Sequence, residues 1–293
     1  MILRTRNFSG ETLVFVLPAI LLLVLLLYLP AVLGFYYSLH ELEGMVPGSY
    51  SGLSNYQAVI GAPEFIDVAK RTLVYIVGAV SLTLVAATGI ALAVNTLTGP
   101  LATAVQIGVI LPWAVSSVVG ALMFRWVYVS DIGLFAYAIE SLGLGPYRPL
   151  AGPVSGMLTL IASACWKKLG FAVIMILAGI KSIPADYHDA ARADGATPWQ
   201  AFREVTLPLL AGPLIICSVV LAIADLNTVE LPLIVTNGGP VESTTILPLS
   251  IYSLAFSQFD FQGAITLAVF MFAVNVVLVA SYVSITQRRA THA

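Results

Sequence analysis

Charge is what this sequence has least of. Only 10% of its 293 residues are Asp, Glu, Lys or Arg, 59% are hydrophobic, and the mean hydropathy is +0.96. Soluble domains carry roughly 25% charged residues, so water cannot accommodate this much apolar surface, and a lipid membrane is the expected surrounding. A net charge of −2 supplies neither the basic stripe that nucleic acid requires nor a polybasic signal for anionic lipid, so nucleic acid is excluded as a partner. Cysteine is almost absent. Cys165 and Cys217 both lie inside apolar runs and read as small core residues rather than a disulfide or a metal pair. The three histidines, His40, His188 and His292, are far apart, and none has metal-ligand spacing, so no metal is expected. No Gly-x-x-x-x-Gly-Lys-Ser/Thr loop is present to cradle phosphates, so any ATP-driven work must be supplied from elsewhere. Internal repeats, low-complexity tracts and a separate soluble domain are also missing.

What the chain has is long apolar runs. They extend over about Leu13 to Phe35, Thr72 to Val94, Leu101 to Phe124, Val154 to Ile180, Leu209 to Val235 and Gly263 to Ile285. Each is near the roughly 20 residues that cross a hydrocarbon core. The first continues through Leu27, Tyr28, Leu29 and Pro30 and reads as a retained helix rather than a signal peptide. Gly99-Pro100 makes a tight break between the second and third. Six spans place both termini, the Gly99 turn and the loop after the fourth span on one side. Assigning that side to the cytoplasm puts Arg4, Arg6, Lys181, Arg192, Arg203, Arg288 and Arg289 inside against Lys70, Arg71, Arg125 and Arg148 outside. The three loops on the other side are long, and Trp126, Tyr128, Tyr137 and Tyr147 suit a membrane interface.

The longest polar run, Pro184 to Pro208, has its own grammar. Pro184 suits a helix start, Asp186 and Asp189 favour the positive end of the helix dipole, and Gly195 is the residue best able to take a left-handed stop. Thr197 with Gln200 forms a capping box around Pro198, and Pro208 marks the next boundary. Ala190, Ala191 and Ala193 leave the first helix nearly bare, so another protein surface can approach it closely. The spacing is Asp189-Ala190-Ala191, three residues, Gly195, nine residues, then Val205-Thr206-Leu207-Pro208.

That spacing resembles the coupling-loop motif of binding-protein-dependent ABC importer permeases, Glu-Ala-Ala, three residues, Gly, nine residues, Ile-x-Leu-Pro, with Asp in place of Glu and Val in place of Ile. The resemblance extends along nearly the whole chain. Gly52-Leu53-Ser54-Asn55-Tyr56, Trp166-Lys167, Ala178-Gly179-Ile180 with Ile183-Pro184, and Thr236-Asn237-Gly238-Gly239-Pro240 followed by Tyr252 and Ala255-Phe256 are similar to segments of the sugar-importing branch, the maltose and glycerol-3-phosphate type. It implies an all-α polytopic membrane protein with six transmembrane helices, the type I ABC importer permease fold. One transmembrane domain would cover residues 1–293, with a coupling loop at 182–208, in the cytoplasmic membrane of a prokaryote. The implied partners are a second, homologous permease, two cytoplasmic ATPase subunits that hold ATP and Mg, and an extracytoplasmic solute-binding protein. No cofactor would be bound by this chain. Asp186, Asp189, Ala190, Ala191, Arg192, Asp194 and Gly195 would meet the ATPase, and Gly238, Gly239 and Pro240 would form an outer turn or gate.

Charges at membrane depth are expensive and usually face a bundle interior, which singles out Lys167, Lys168, Asp225 and Glu230. Asn227 and Glu230 are three apart and share a helical face, and Asn275 adds an amide in the sixth span. Counting about 1.5 Å per residue from the span ends puts Lys167 and Asp225 at similar depth, so a Lys167–Asp225 pair is geometrically allowed. These groups either line a sugar path or satisfy one another. Two other readings are an intramembrane enzyme using Asp225, Glu230 and Lys167, and a self-sufficient channel or secondary transporter. The first lacks an intramembrane His or a His-Glu-x-x-His spacing. The second would not require the coupling motif and would often show repeated halves.

Overall fold

In hydrocarbon every backbone N–H must find its carbonyl within the same segment, so apolar runs of this length fold as helices. A computed structural model describes residues 10–129, 133–143 and 148–290. Arg4, Arg6, Tyr147 and His292 lie outside the described residues. Five described helices are long and apolar enough to cross a membrane: Val14–Ser38, Pro63–Asn95, Pro153–Lys181, Pro198–Leu226 and Phe261–Ser284. They form the first, second, fourth, fifth and sixth spans. The third is a pair, Gly99–Ala114 and Ser117–Tyr128, bent by 94°.

Three departures from the sequence expectation share one cause, the handling of backbone groups that a break or a proline leaves unpaired. The third span is not straight from 101 to 124, because Val115 and Ser116 are extended, with ψ of 141° at each. The fifth span does not run on to Val235. It ends at Leu226, and a separate short helix covers Glu230–Val235. Pro208, finally, is not a boundary, since the helix that opens at Pro198 continues through it to Leu226.

A wide five-residue turn at Phe202–Thr206 makes that continuity possible, and a matching one at Val24–Tyr28 precedes Pro30 in the first span. A proline ring clashes with the carbonyl four residues back. Glu204 and Leu26 occupy those positions, each at the centre of its wide turn, where the ladder is opened.

The described residues group into two compact units, 10–62 with 253–272, and 63–252 with 273–290. In the first, the first span leads into a hairpin of strands β1, His40–Glu43, and β2, Val46–Tyr50, paired in the register His40 to Tyr50 and Glu43 to Val46. Asn55 of the Gly52–Tyr56 segment donates to the Ser38 and His40 carbonyls at 2.9 and 3.0 Å, and the Tyr56 and Ser38 hydroxyls are 2.6 Å apart. Gln262 completes the fastening by accepting from Leu42 N–H and donating to His40 O.

The second unit is built on small residues. Ala79, Thr83, Ala87 and Ala91 recur every fourth position on the buried face of the second span. Leu160, Ala164, Ala172 and Ile176 form a buried row on the fourth. Apolar attraction between helices is weak in lipid, so close backbone approach supplies the packing. Gly179 brings the fourth span against Pro213 of the fifth, where an added Cβ would lie 2.8 Å from the proline ring. Gly170 is tighter still. A Cβ there would sit 2.4 Å from the Val109 carbonyl oxygen and 3.0 Å from Ile110 Cα of the third span. Backbone cannot yield as a side chain can, so Gly170→Ala is expected to destabilise the fold by about 1–3 kcal/mol. Thermal unfolding of the detergent-solubilised chain measures it, and an unchanged midpoint would contradict the packing.

Candidate functional site

The polar run between the fourth and fifth spans folds as two helices at an elbow. The first covers Ala185–Ala193, with Pro184 extended before it and Asp186 in its first turn. Gly195 takes φ +77°. Its N–H meets the Arg192 carbonyl at 3.1 Å, and the Ala196 N–H meets Ala191 O at 3.0 Å. These two bonds form a Schellman closure, which needs a left-handed residue at the glycine's position. Asp189 and Arg192 pair across one helical turn at 3.2 Å, both largely exposed. Ala190, Ala193 and Asp194 are also exposed, whereas Ala191 is half-buried and faces the chain itself.

The second helix starts at Pro198 on a complete capping box. Thr197 N–H donates to Gln200 Oε1 at 2.8 Å, and Gln200 N–H donates to Thr197 Oγ1 at 3.4 Å. Trp199, 68% exposed, rests against Phe202 with ring centroids 5.5 Å apart. Because this helix runs unbroken into the fifth span, and only three residues separate the end of the fourth span from Ala185, the elbow is joined closely to both.

Deeper in the same unit the charges sort differently from the depth argument. Lys168, not Lys167, meets Asp225. Asp225 is 1% exposed and also accepts a bond from the buried Tyr75 hydroxyl at 2.9 Å. Depth alone does not fix direction around a helix. Lys168 continues the buried row of Leu160, Ala164, Ala172 and Ile176, four residues apart, and that periodicity points it at the fifth span. Lys167 is turned about 100° away. Its ammonium donates to the carbonyls of Pro112 at 3.3 Å, Trp113 at 2.9 Å and Val115. These are carbonyls around the break in the third span, so Lys167 fastens that break. Tyr75 went unread in the sequence. Its signal is a hydroxyl at helical spacing with Val68, Thr72 and Ala79, all of them buried.

Asn227 and Glu230 do not share a helical face. Asn227 ends the fifth span and Glu230 opens the next helix, exposed to its surroundings. Asn227 instead donates to Asn275 Oδ1 at 3.1 Å and to the Ile223 carbonyl at 2.7 Å. The break in the third span borders a cavity of about 440 Å³ whose walls include Trp113, Ser116, Ser117, Lys167, Lys168 and Thr228. This size falls within the roughly 300–1,000 Å³ of small-molecule sites. Hydroxyls, ammonium groups and an indole face form a wall suited to a polar molecule with an apolar ring. Glu230, Asn227 and Asn275 do not line it.

The turn after the short helix is closely tied. Asn237 and Gly238 are both left-handed, with φ of 49° and 78°. A Cβ on Gly238 would come within 2.6 Å of Thr245 Oγ1. The buried Thr244 hydroxyl lies 2.7 Å from that of Thr236 and 2.9 Å from the Gly239 carbonyl. Gly156 of the fourth span lets Pro240 and Thr244 approach to 3.5 Å of where its Cβ would be.

Residues 79–291 match the model of one protein family, described as binding-protein-dependent transport system inner membrane component. The chain is 31% identical to the trehalose/maltose transport system permease protein MalF of Thermococcus litoralis, over 84% of this chain and 82% of that one. It is 30% identical to the sulfoquinovosyl glycerol transport system permease protein SmoG of Agrobacterium fabrum, over 93% and 89%. Its fold is similar to a chain of a bacterial ABC transporter involved in the import of the acidic polysaccharide alginate, with a TM-score of 0.80, 94% of each chain covered and 23% identity.

Proposed function

This chain belongs to the binding-protein-dependent transport system inner membrane components, and on that premise we propose how it works. It is the transmembrane permease of an ABC importer. Its cargo is a sugar, oligosaccharide or polyol derivative, a reading supported by the permease names of its relatives and by the hydroxyl- and indole-lined cavity. A second permease of the same kind completes the path, two cytoplasmic ATPases supply the energy with ATP and Mg bound to them, and an extracytoplasmic binding protein delivers the cargo. Both termini and the elbow face the cytoplasm.

The observation that carries this reading is the exposed helix Ala185–Ala193, closed at Gly195 and joined to two spans. Seated on an ATPase, it converts closure of the nucleotide-bound ATPases into a near-rigid push. The unbroken helix from Pro198 carries the displacement along the fifth span, and the Gly179–Pro213 contact engages the fourth. Rocking of these spans switches the cavity between outward and inward access. The enzyme alternative is disfavoured because its three groups are not assembled: Asp225 is paired with Lys168 and buried, Lys167 is bonded to the carbonyls of the break, and Glu230 does not line the cavity.

Purification of the tagged chain from its native membrane is expected to recover an ATPase and a second permease. A cysteine placed at Ala190 is expected to react with a membrane-impermeant maleimide only in inside-out vesicles, and there only once the ATPases have been stripped off. Recovery of a lone, transport-active oligomer, or labelling at Ala190 from outside, would overturn the assignment.

A further inference from the structure

Glu230 is a carboxylate on the surface of its unit at membrane depth. It opens the short helix Glu230–Val235 and is exposed. Its neighbour Leu231 lines the cavity at the break together with Ala164 and Lys168, and packs into the core with Leu160. Leu160 and Ala164 lie seven and eleven residues inward of Pro153 on the fourth span, or about 10 and 16 Å at roughly 1.5 Å per residue. From there the two methylenes of a glutamate are too short to carry its charge out to the headgroups. Elsewhere the exposed positions on the unit's spans are aliphatic, as at Leu73, Val74 and Val77 of the second and Val276 and Val277 of the sixth. The described ion pairs are Lys70–Asp67, Lys168–Asp225 and Arg192–Asp189, and none includes Glu230. The cations of the packed elements around it are engaged. Lys167 donates to the carbonyls of the break, and Arg125, on the half-helix against which the short helix packs, donates to the Ile234 carbonyl at 3.1 Å, one turn further on. A bare charge at this depth is costly. Water in an open path solvates it only while that side is open, and alternating access closes each side in turn.

We infer that Glu230 marks the seam with the second permease, which meets it with an arginine or lysine at the same depth. The inference rests on the two-permease reading above and adds to it the residue through which the two chains are held by charge. A carboxylate at the seam also repels any chain that presents another acid there, so the pair helps to select the partner.

The test uses the tagged full chain in its whole assembly, in native membranes. A photoreactive benzophenone amino acid in place of Glu230 is expected, on illumination of the resting or the vanadate-trapped assembly, to join this chain to the second permease within one helical turn of an arginine or lysine. Glu230→Lys is expected to lower the amount of second permease recovered per tagged chain by about tenfold, because it sets like charges together at the seam. Glu230→Gln should lower it by a smaller factor, and Glu230→Asp least. Exchanging the cross-linked cation of the second permease for glutamate is expected to restore recovery in Glu230→Lys, which a merely structural role of Glu230 would not produce. Cross-linking only to lipid, to the binding protein or to a labelled sugar would overturn this inference alone. So would undiminished recovery in Glu230→Lys, or a reciprocal exchange that restores nothing. A wild-type chain that brings down no second permease would take the two-permease reading down with it.

Discussion

Asp225→Ala is expected to remove most of the folded protein from the membrane. The substitution leaves the Lys168 ammonium, 12% exposed, without its carboxylate and strips the Tyr75 hydroxyl of its acceptor. Removing one partner of a buried ion pair costs about 3–5 kcal/mol, because the remaining charge stays desolvated. That is a large share of the total stability of a typical domain. Three further variants separate the contributions. Tyr75→Phe loses a single hydrogen bond to a charged group, about 1.5–3 kcal/mol. Asp225→Asn keeps a partner for Tyr75 while abandoning the lysine, so it should fall near the alanine variant. Lys168→Met with Asp225→Leu removes both charges and is expected to recover most of the loss. Membrane yield and thermal unfolding in detergent measure all four. An Asp225→Ala protein as stable as the wild type would mean that the pair does not hold the second, fourth and fifth spans together.

Gly195→Val is expected to cut uptake by about tenfold or more while ATP hydrolysis by the assembly continues. No heavy atom lies within 4 Å of a Cβ built on Gly195, so the added side chain has space. Its cost is conformational. At φ +77° an L-residue is disfavoured by roughly 1–2 kcal/mol, and branching at Cβ adds to it. The Schellman closure loosens, and the angle between the helix at Ala185–Ala193 and the helix at Pro198 is no longer held. Work delivered to the first helix then bends the elbow instead of moving the fifth span. Gly195→Asn is the control, because asparagine tolerates the left-handed region and should preserve coupling. Uptake and ATP hydrolysis in the same vesicles decide the matter, and normal uptake by Gly195→Val at a normal membrane level would refute the lever.

The two predictions rest on parts of the chain that differ in legibility. The elbow was readable residue by residue, from the Gly195 stop to the Thr197–Gln200 capping box, because each device acts over three to five residues of its own chain. The ion pair was not. Lys168 and Asp225 are 57 positions apart, and depth along the spans favoured Lys167 equally. The row of buried residues on the fourth span distinguishes the two lysines once rotation around the helix is considered. Tyr75 lies 150 positions from Asp225, and no local pattern links them.

Hydropathy and the polar run determined by themselves that the chain spans a membrane, roughly where most of its spans fall, and how the elbow is built; that it is a permease came from the resemblance of the polar run to a known motif. Transfer from water to lipid and short-range capping are properties of contiguous residues. Tertiary structure alone decided that the third span breaks at Val115–Ser116, that the fifth ends at Leu226, and which lysine pairs with Asp225 and which bonds the carbonyls of the break. Apolar composition is the same on both sides of a break. Where a helix breaks, the freed carbonyls need other donors, and for the third span a lysine from the fourth supplies them.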